Sequence, residues 1–241
     1  MFEQLTSLLL PKAQCLACSH PRNVDTGGII CGECTFSLAQ EMLASGVCLH
    51  CLSPRRGSVP CGYCASGGME NLTAAYAPYH YHGVVQQLVV RIKFGAADDA
   101  AIPLANAMIA CVRGISFDYL VPVPLHKNRL AERGINQAAL LCDLISPKIQ
   151  IPILHALKRI KDTKRQSSLL STRKRHDNVE NAFEAVANVQ GLRLLLVDDV
   201  RTTGSTARAC AKKLRQAGAA EVSLLTAAIA PPRLKKEGRH G

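Results

Sequence analysis

Two adjacent carboxylates, Asp198 and Asp199, follow the largely apolar run Leu192–Val197 and precede Val200-Arg201-Thr202-Thr203-Gly204-Ser205-Thr206. These residue types suit one ligand. Backbone N–H groups of Thr202–Thr206 at a helix N-terminus would receive a phosphate. The hydroxyls of Thr202, Thr203, Ser205 and Thr206 add hydrogen bonds, and Gly204 lets the backbone approach closely. Carboxylates repel a phosphate, so Asp198 and Asp199 point to something beside it: a sugar with vicinal hydroxyls, or a divalent metal. A ribose 5-phosphate satisfies both halves of the stretch. The alternative is a strand, an Asx-type turn and a capped helix without a ligand.

The second candidate chemistry is metal binding. Of 11 cysteines, eight fall in four Cys-x-x-Cys pairs: Cys15 and Cys18, Cys31 and Cys34, Cys48 and Cys51, Cys61 and Cys64. The intervening segments are 12, 13 and 9 residues long. This is zinc-knuckle spacing, and eight thiolates fill two closed, structural four-cysteine sites. Sequential pairing joins Cys15, Cys18, Cys31 and Cys34 around one ion and Cys48, Cys51, Cys61 and Cys64 around the other; a cross-braced pairing is the alternative. Thiol redox exchange is another use of such pairs. His20 and His50 lie near cysteines but read as bystanders, because thiolates already complete both sites. Cys111, Cys142 and Cys210 sit in apolar helical patterns and read as core residues.

Leu192–Val197 reads as a central parallel strand buried on both faces, with ligands bound beyond its carboxyl end. An Ala-rich amphipathic helix follows, to Ala217. A second strand, Asp118–Val123, ends in Pro122-Val123-Pro124 and leads to a basic loop holding His126, Lys127, Arg129 and Arg133. Those cations suit a pyrophosphate, with Arg offering bidentate contact; a solvated helix start is the alternative. Further strands are expected at Tyr76–Tyr81, Ile151–Leu157 and Glu221–Ala230. Helices are expected at Phe36–Ala44, Val84–Phe94, Asp98–Val112 and Asn136–Leu144. The alternation predicts an α/β fold with a mostly parallel sheet. Ser66-Gly67-Gly68 marks a boundary. Residues 1–70 form a small Cys-rich module and residues 71–241 the α/β domain. The chain has no apolar run near the ~20 residues that span a bilayer. Leu5–Leu10 lacks a basic flank and is too short for a signal peptide, so a cytoplasmic protein is expected.

Charge separates the two parts. The net charge is +11. Residues 1–70 carry four Lys/Arg and five Asp/Glu, so the whole excess lies in residues 71–241. Lys158–Asp177 alone holds eight Lys/Arg and two Asp, including Lys164, Arg165, Arg173 and Arg175. Such a segment serves as a loop closing over a substrate, as a contact to a nucleic-acid backbone, or as a plain solvated face. With no Trp and ten Phe/Tyr residues, a broad base-stacking platform is disfavoured. Nucleic acid would be held through its phosphates.

Leu194–Thr206 resembles the 5-phosphoribosyl-1-pyrophosphate (PRPP) motif of type I phosphoribosyltransferases. Nearly the whole chain is similar to the ComF family of competence-associated proteins. The resemblance rests on the Cys pairs, Lys93-Phe94-Gly95, Val121-Pro122-Val123-Pro124-Leu125-His126, Arg129, Arg133, Gly134, Asn136 and Gln137. Arg159, Thr163, Gln166, Leu169, Arg175, Asn178 and Phe183 extend it. It implies a double zinc ribbon before a phosphoribosyltransferase-like domain, with Asp198 and Asp199 on the ribose hydroxyls and Val200–Thr206 around the 5-phosphate. It further implies PRPP with Mg2+ as ligand, and a role in natural transformation. Its expected partners are single-stranded DNA and inner-membrane DNA-uptake proteins. An active phosphoribosyltransferase is the alternative, with pyrophosphate near Lys127–Arg133. A glutamine-using amidotransferase is not expected, since the chain starts Met1-Phe2-Glu3 and its early cysteines are committed to metal. No segment reads as a hood over an acceptor base, unless the zinc ribbons cover the pocket.

Overall fold

The computed structural model describes residues 13–21, 29–43, 46–54, 61–94, 98–162 and 181–230. The Cys-rich part contains α1 (Gly32–Gln40) and the single-turn α2 (Gly62–Ala65). Then come β1 (Ala75–Tyr76), β2 (Tyr79–His80), α3 (Gly83–Lys93) and, after a 3-10 turn, α4 (Ala101–Val112). They are followed by β3 (Tyr119–Pro122), α5 (Lys127–Arg133) and α6 (Gln137–Ile149). A small hairpin pairs β4 (Leu157–Arg159) antiparallel with β5 (Phe183–Ala185). The chain then runs through β6 (Arg193–Arg201), α7 (Ser205–Gln216) and β7 (Glu221–Ile229).

The main sheet is wholly parallel. β7 lies between β6 on one side and β1 with β2 on the other, and β6 pairs with β3. Successive residues of β6 point to opposite faces. Leu195 and Val197 meet one apolar layer, made by α3, α4, α6 and the first cysteine group. Leu194 and Leu196 meet another, made by α7, the hairpin and the second cysteine group. Coverage of both faces explains why the strand is an almost unbroken apolar run. This is the expected fold class, a parallel-sheet α/β fold with Cys-rich modules ahead of it.

Several local expectations are corrected. The helix expected at Phe36–Ala44 begins earlier, at Gly32, because the Cys31–Cys34 knuckle turns directly into it. The strand expected over Tyr76–Tyr81 is split at Ala77-Pro78, since proline has no N–H for the ladder. Only Ile153 of Ile151–Leu157 bridges the sheet, to Leu120; Pro152 again removes a donor. The basic loop after Pro124 is the helix α5. The His126 side chain accepts the Asn128 N–H at its start, and Gly134 ends it in the left-handed conformation, φ 75°.

Two seams join the Cys-rich part to the sheet. At one, Glu41 accepts the N–H groups of Val84 and Val85 at the start of α3, both at 2.8 Å. At the other, the His50 carbonyl accepts the Ala75 N–H at 3.2 Å. Among the described residues no helix is long and apolar enough to cross a membrane.

Candidate functional site

Asp198 and Asp199 lie near the carboxyl end of β6, still within the ladder, which runs on to Arg201 opposite Ile229. Their carboxylates turn back on the chain. Asp198 accepts the Asp199 N–H at 2.9 Å, and Asp199 accepts the Val200 N–H at 2.6 Å. The second oxygen of Asp199 is 2.7 Å from the Lys93 ammonium at the end of α3. Burial above all, and then the Asp199 charge, push the Asp198 carboxyl up to about 8, against the Asp199 N–H and Lys93. The Lys93 ammonium is the cation set against the pair.

This shift predicts a pH dependence. The folded protein holds a proton on Asp198 that the unfolded chain, at the usual 3.8, releases. The stabilising contribution is therefore complete below the unfolded value and is lost as pH rises through about 8. Denaturant midpoints across that window fall with pH in the wild type and fall less in Asp198→Asn. Equal slopes in the two proteins would remove Asp198 as the source.

Gly204 enters α7 with φ 72° and ψ 4° and as a glycine offers no side-chain cap, while the Thr203 hydroxyl accepts the Ser205 N–H at 3.5 Å. The remaining first-turn N–H groups are left for another acceptor. A cavity of about 30 Å3 opens there, lined by Asp198, Val200, Arg201, Thr202, Gly204, Ser205 and Thr206. It has room for about one or two waters, so a phosphate would require the loop to move outward. Thr203 instead turns its carbonyl toward Tyr63 and Arg208, and its hydroxyl is 3.1 Å from that of Ser205. Arg201 lines the cavity but sends its guanidinium to the second cysteine group, donating to the Cys51 carbonyl at 2.6 Å and the Ser53 hydroxyl at 3.3 Å. Its buried Nε has no hydrogen-bond partner among the described residues.

The basic candidates Lys127, Arg129 and Arg133 lie on α5, beyond the carboxyl end of β3 and so at the same sheet edge as the acids. Asp162 gathers part of this group: Asn128 donates to it at 3.0 Å, and Arg129 Nε is 3.8 Å away. Arg133 donates to Gln137 at 3.0 Å. Arg159 joins them, its guanidinium 5.3 Å from the centre of the Phe183 ring. Burial and then Arg129 lower its pKa, while Asp162 and Asp198 oppose that. These cations and the acid pair therefore share one electrostatic neighbourhood. Lys164, Arg165, Arg173 and Arg175 lie outside the described residues.

The eight knuckle cysteines form two groups in sequential order, Cys15, Cys18, Cys31 and Cys34, then Cys48, Cys51, Cys61 and Cys64. Sulfur separations are 3.8 Å for Cys18–Cys31, 3.8 Å for Cys48–Cys64 and 3.5 Å for Cys51–Cys61. Zn–S bonds of about 2.3 Å at tetrahedral angles place sulfurs about 3.8 Å apart, so both groups fit Zn2+. Ionisation is eased at one thiol of each group, whereas burial first and the neighbouring cysteines second push Cys34 and Cys64 up. Burial works against a thiolate at Cys15, yet the N–H groups of Cys31, Cys18 and Ala17 outweigh it and lower the pKa to about 6. Cys48 reaches about 6 in the same way, with the N–H groups of Cys51 and His50 overcoming burial. Of the remaining cysteines, Cys142 and Cys210 are buried and Cys111 is half-buried.

Four residues gain roles that their sequence neighbourhood did not suggest: Tyr63, Lys93, Arg208 and His50. His50 stays outside the four-cysteine group, as expected, but its ring braces it, 3.7 Å from the Cys64 sulfur and 2.9 Å from the Thr73 carbonyl. Lys93 was visible only as part of the Lys-Phe-Gly signature. Tyr63, inside the Cys61–Cys64 knuckle, and Arg208, on α7, carried no signal of their own.

No family model matches the chain. It is similar to the DNA utilization protein YhgH of Salmonella typhimurium, 31% identical over 229 residues, which span 87% of this chain and 94% of that protein. Competence protein F of Haemophilus influenzae is 30% identical over 218 residues, 80% of this chain and 94% of that one. Part of the chain resembles the allosteric regulatory enzyme of purine biosynthesis, with TM-score 0.40 and 23% identity, over 59% of this chain and 30% of that one. A purine phosphoribosyltransferase from Pyrococcus horikoshii Ot3 gives 0.34 and 17%, over 55% and 76%. These structural likenesses are partial, and the fold stands on the strand order and register. On the sequence likeness, which covers most of both partners, the chain belongs to the ComF family of competence and DNA-utilisation proteins.

Proposed function

We propose that this protein handles incoming single-stranded DNA in the cytoplasm during DNA uptake, and that a PRPP or ribose 5-phosphate site in its α/β domain serves that role. In this reading residues 1–70 are a double zinc ribbon and residues 71–241 the phosphoribosyl domain. The observation that carries the ligand assignment is the cavity shared by Asp198 and the Thr202–Thr206 loop. The start of α7 and the hydroxyls of Thr202, Ser205 and Thr206, which line that cavity, supply donors for a phosphate. The acid pair supplies acceptors for ribose hydroxyls. Mg2+ takes hard oxygen ligands, but Asp199 is engaged by Lys93 and Asp198 is held toward its neutral form. The acids therefore suit the sugar diol, and Mg2+ belongs with the diphosphate of PRPP, near Lys127, Arg129 and Arg133.

The DNA assignment draws on the names of the relatives and on the basic excess of residues 71–241. Inner-membrane DNA-uptake proteins are the expected protein partners. Neutralising Lys164, Arg165, Arg173 and Arg175 weakens single-stranded DNA binding. With about 0.7 of log–log salt slope per phosphate contact, losing four contacts reduces the slope by about 3. Fluorescence anisotropy across a salt series measures it. Unchanged affinity and slope would exclude this segment. In a deletion strain, failure of the wild-type chain to restore transformation would exclude the uptake role itself.

A second reading, favoured by the same acid pair, is an active phosphoribosyltransferase. Asp198 and Asp199 would hold the ribose while a nucleophile attacks C1 and diphosphate leaves toward α5. Their charge would stabilise the positive charge that develops on the ring. Release of pyrophosphate from PRPP, dependent on an added amine or base, would distinguish it from binding alone.

A further inference from the structure

The second cysteine group and the phosphate loop are built into one another. Tyr63 lies between the ligand positions Cys61 and Cys64. Its hydroxyl donates to the Thr203 carbonyl at 3.2 Å. A Cβ on Gly204 would collide with that hydroxyl. The Tyr63 ring covers the Arg201 guanidinium, 4.8 Å from the ring centre. Arg201 in turn donates to the carbonyl of Cys51, another ligand position. Arg208, in the first turns of α7, closes the circuit by donating to the Thr203 carbonyl at 3.1 Å and to the Gly68 carbonyl at 3.4 Å. Loop residues on both sides of Thr202 are thus fixed by side chains and carbonyls that the second metal would hold in place. The first group packs elsewhere, with α1 and α3 on the opposite face of the sheet.

We infer that Tyr63 is a positioning residue of the phosphoribosyl site, so that the second four-cysteine site and the ligand support each other while the first does not take part. The inference rests on the phosphoribosyl reading above. Its physical content is reciprocal. A ligand that fixes Thr202–Thr206 must also tighten Tyr63 and Arg201 against Cys51, Cys61 and Cys64, because coupling between two binding events runs both ways. Entry of a ligand shifts the loop outward, and the Tyr63 hydroxyl then holds Thr203 at the rim.

The test uses the full-length zinc-loaded protein, a zinc-selective chelator and a thiol-alkylating reagent, with alkylation of each cysteine followed by mass spectrometry. Saturating PRPP with Mg2+ slows modification of Cys48, Cys51, Cys61 and Cys64 by at least about fivefold, the lower end of ordinary coupling, and leaves Cys15, Cys18, Cys31 and Cys34 unchanged. Tyr63→Ala retains two zinc ions and loses this protection; Tyr63→Phe, which keeps the ring over Arg201, loses part of it. Equal protection of both groups, or none in a protein shown by calorimetry to bind PRPP, overturns the inference. If calorimetry shows no PRPP binding, the phosphoribosyl reading fails, and the latch is judged without ligand by hydrogen exchange. Faster exchange at Thr202–Thr206 in zinc-loaded Tyr63→Ala supports it, and unchanged exchange overturns it. Should Tyr63→Ala not fold, Tyr63→Phe with the same exchange measurement decides.

Discussion

Replacing Asp198 and Asp199 together by asparagine lowers PRPP affinity by about 100-fold or more. A hydrogen bond to a charged group contributes about 1.5–3 kcal/mol and one to a neutral group about 0.5–1.5 kcal/mol, so one contact of each kind, Asp199 as the charged partner and Asp198 held toward its neutral form, amounts to about 3 kcal/mol, at about 1.4 kcal/mol per tenfold. The loss is not a simple sum, because the variant also strands Lys93, whose ammonium pairs with Asp199 at 2.7 Å. A third variant, carrying Lys93→Met as well, separates the two causes. If the stranded charge dominates, Lys93→Met restores part of the affinity; if the lost acceptors dominate, it restores none. Isothermal calorimetry with PRPP and Mg2+ reads all three proteins. Wild-type affinity in the double variant would dismiss the acid pair as a ribose site.

Glu41→Ala destabilises the fold by about 3 kcal/mol, the cost of leaving two buried N–H groups unpaired at about 1–3 kcal/mol each. Glu41 is only 5% exposed and accepts from Val84 and Val85 at the start of α3. A carboxylate there also meets the positive end of the helix. Glu41→Gln keeps an acceptor and loses the charge, so its effect is smaller. Denaturant titration checks both, with the midpoint moving and the slope unchanged. A loss below about 0.5 kcal/mol in Glu41→Ala, the range of ordinary surface substitutions, would show that water replaces the carboxylate. The effect extends beyond stability: α3 is the helix that delivers Lys93 to Asp199, so a loosened N-terminus shifts the charge balance of the acid pair.

The sequence revealed what is local. The run Leu192–Val197 followed by two acids is a buried strand that delivers carboxylates to a sheet edge, and it folds that way. Knuckle spacing revealed the cysteine pairs, and the structure selects the sequential grouping over the cross-braced one. Helices α3, α4 and α7 follow from apolar periodicity. What stayed illegible depends on partners far apart in sequence. Tyr63 reaches Thr203 across 140 positions, and Arg201 reaches Cys51 across 150. Arg201 reads as a phosphate ligand because its neighbours do; nothing nearby indicates that its guanidinium turns to a cysteine carbonyl. Glu41 looks like a surface residue at a helix end, and its burial arises only when α3 arrives. Helix α5 stands in the sequence only as the alternative to a basic loop, because a histidine in the capping position is a weak signal beside two prolines.

The position of β7 has a consequence for synthesis. It is the last described strand to leave the ribosome, yet it lies inside the sheet and joins the earliest strands to the middle ones. Ala75 and Tyr76 pair with Leu224 and Leu225, and Tyr79 and His80 pair with Ala228 and Ile229. A nascent chain that stops short of Glu221 has β6 beside β3 but leaves β1 and β2 without their neighbour. The two cysteine modules can take up metal early, as each group is closed by nearby residues, and then wait for the surface on which they settle. Such long-range closure slows folding and prolongs exposure of apolar faces during translation. Metal uptake before the sheet closes would hold the early part of the chain compact through that delay.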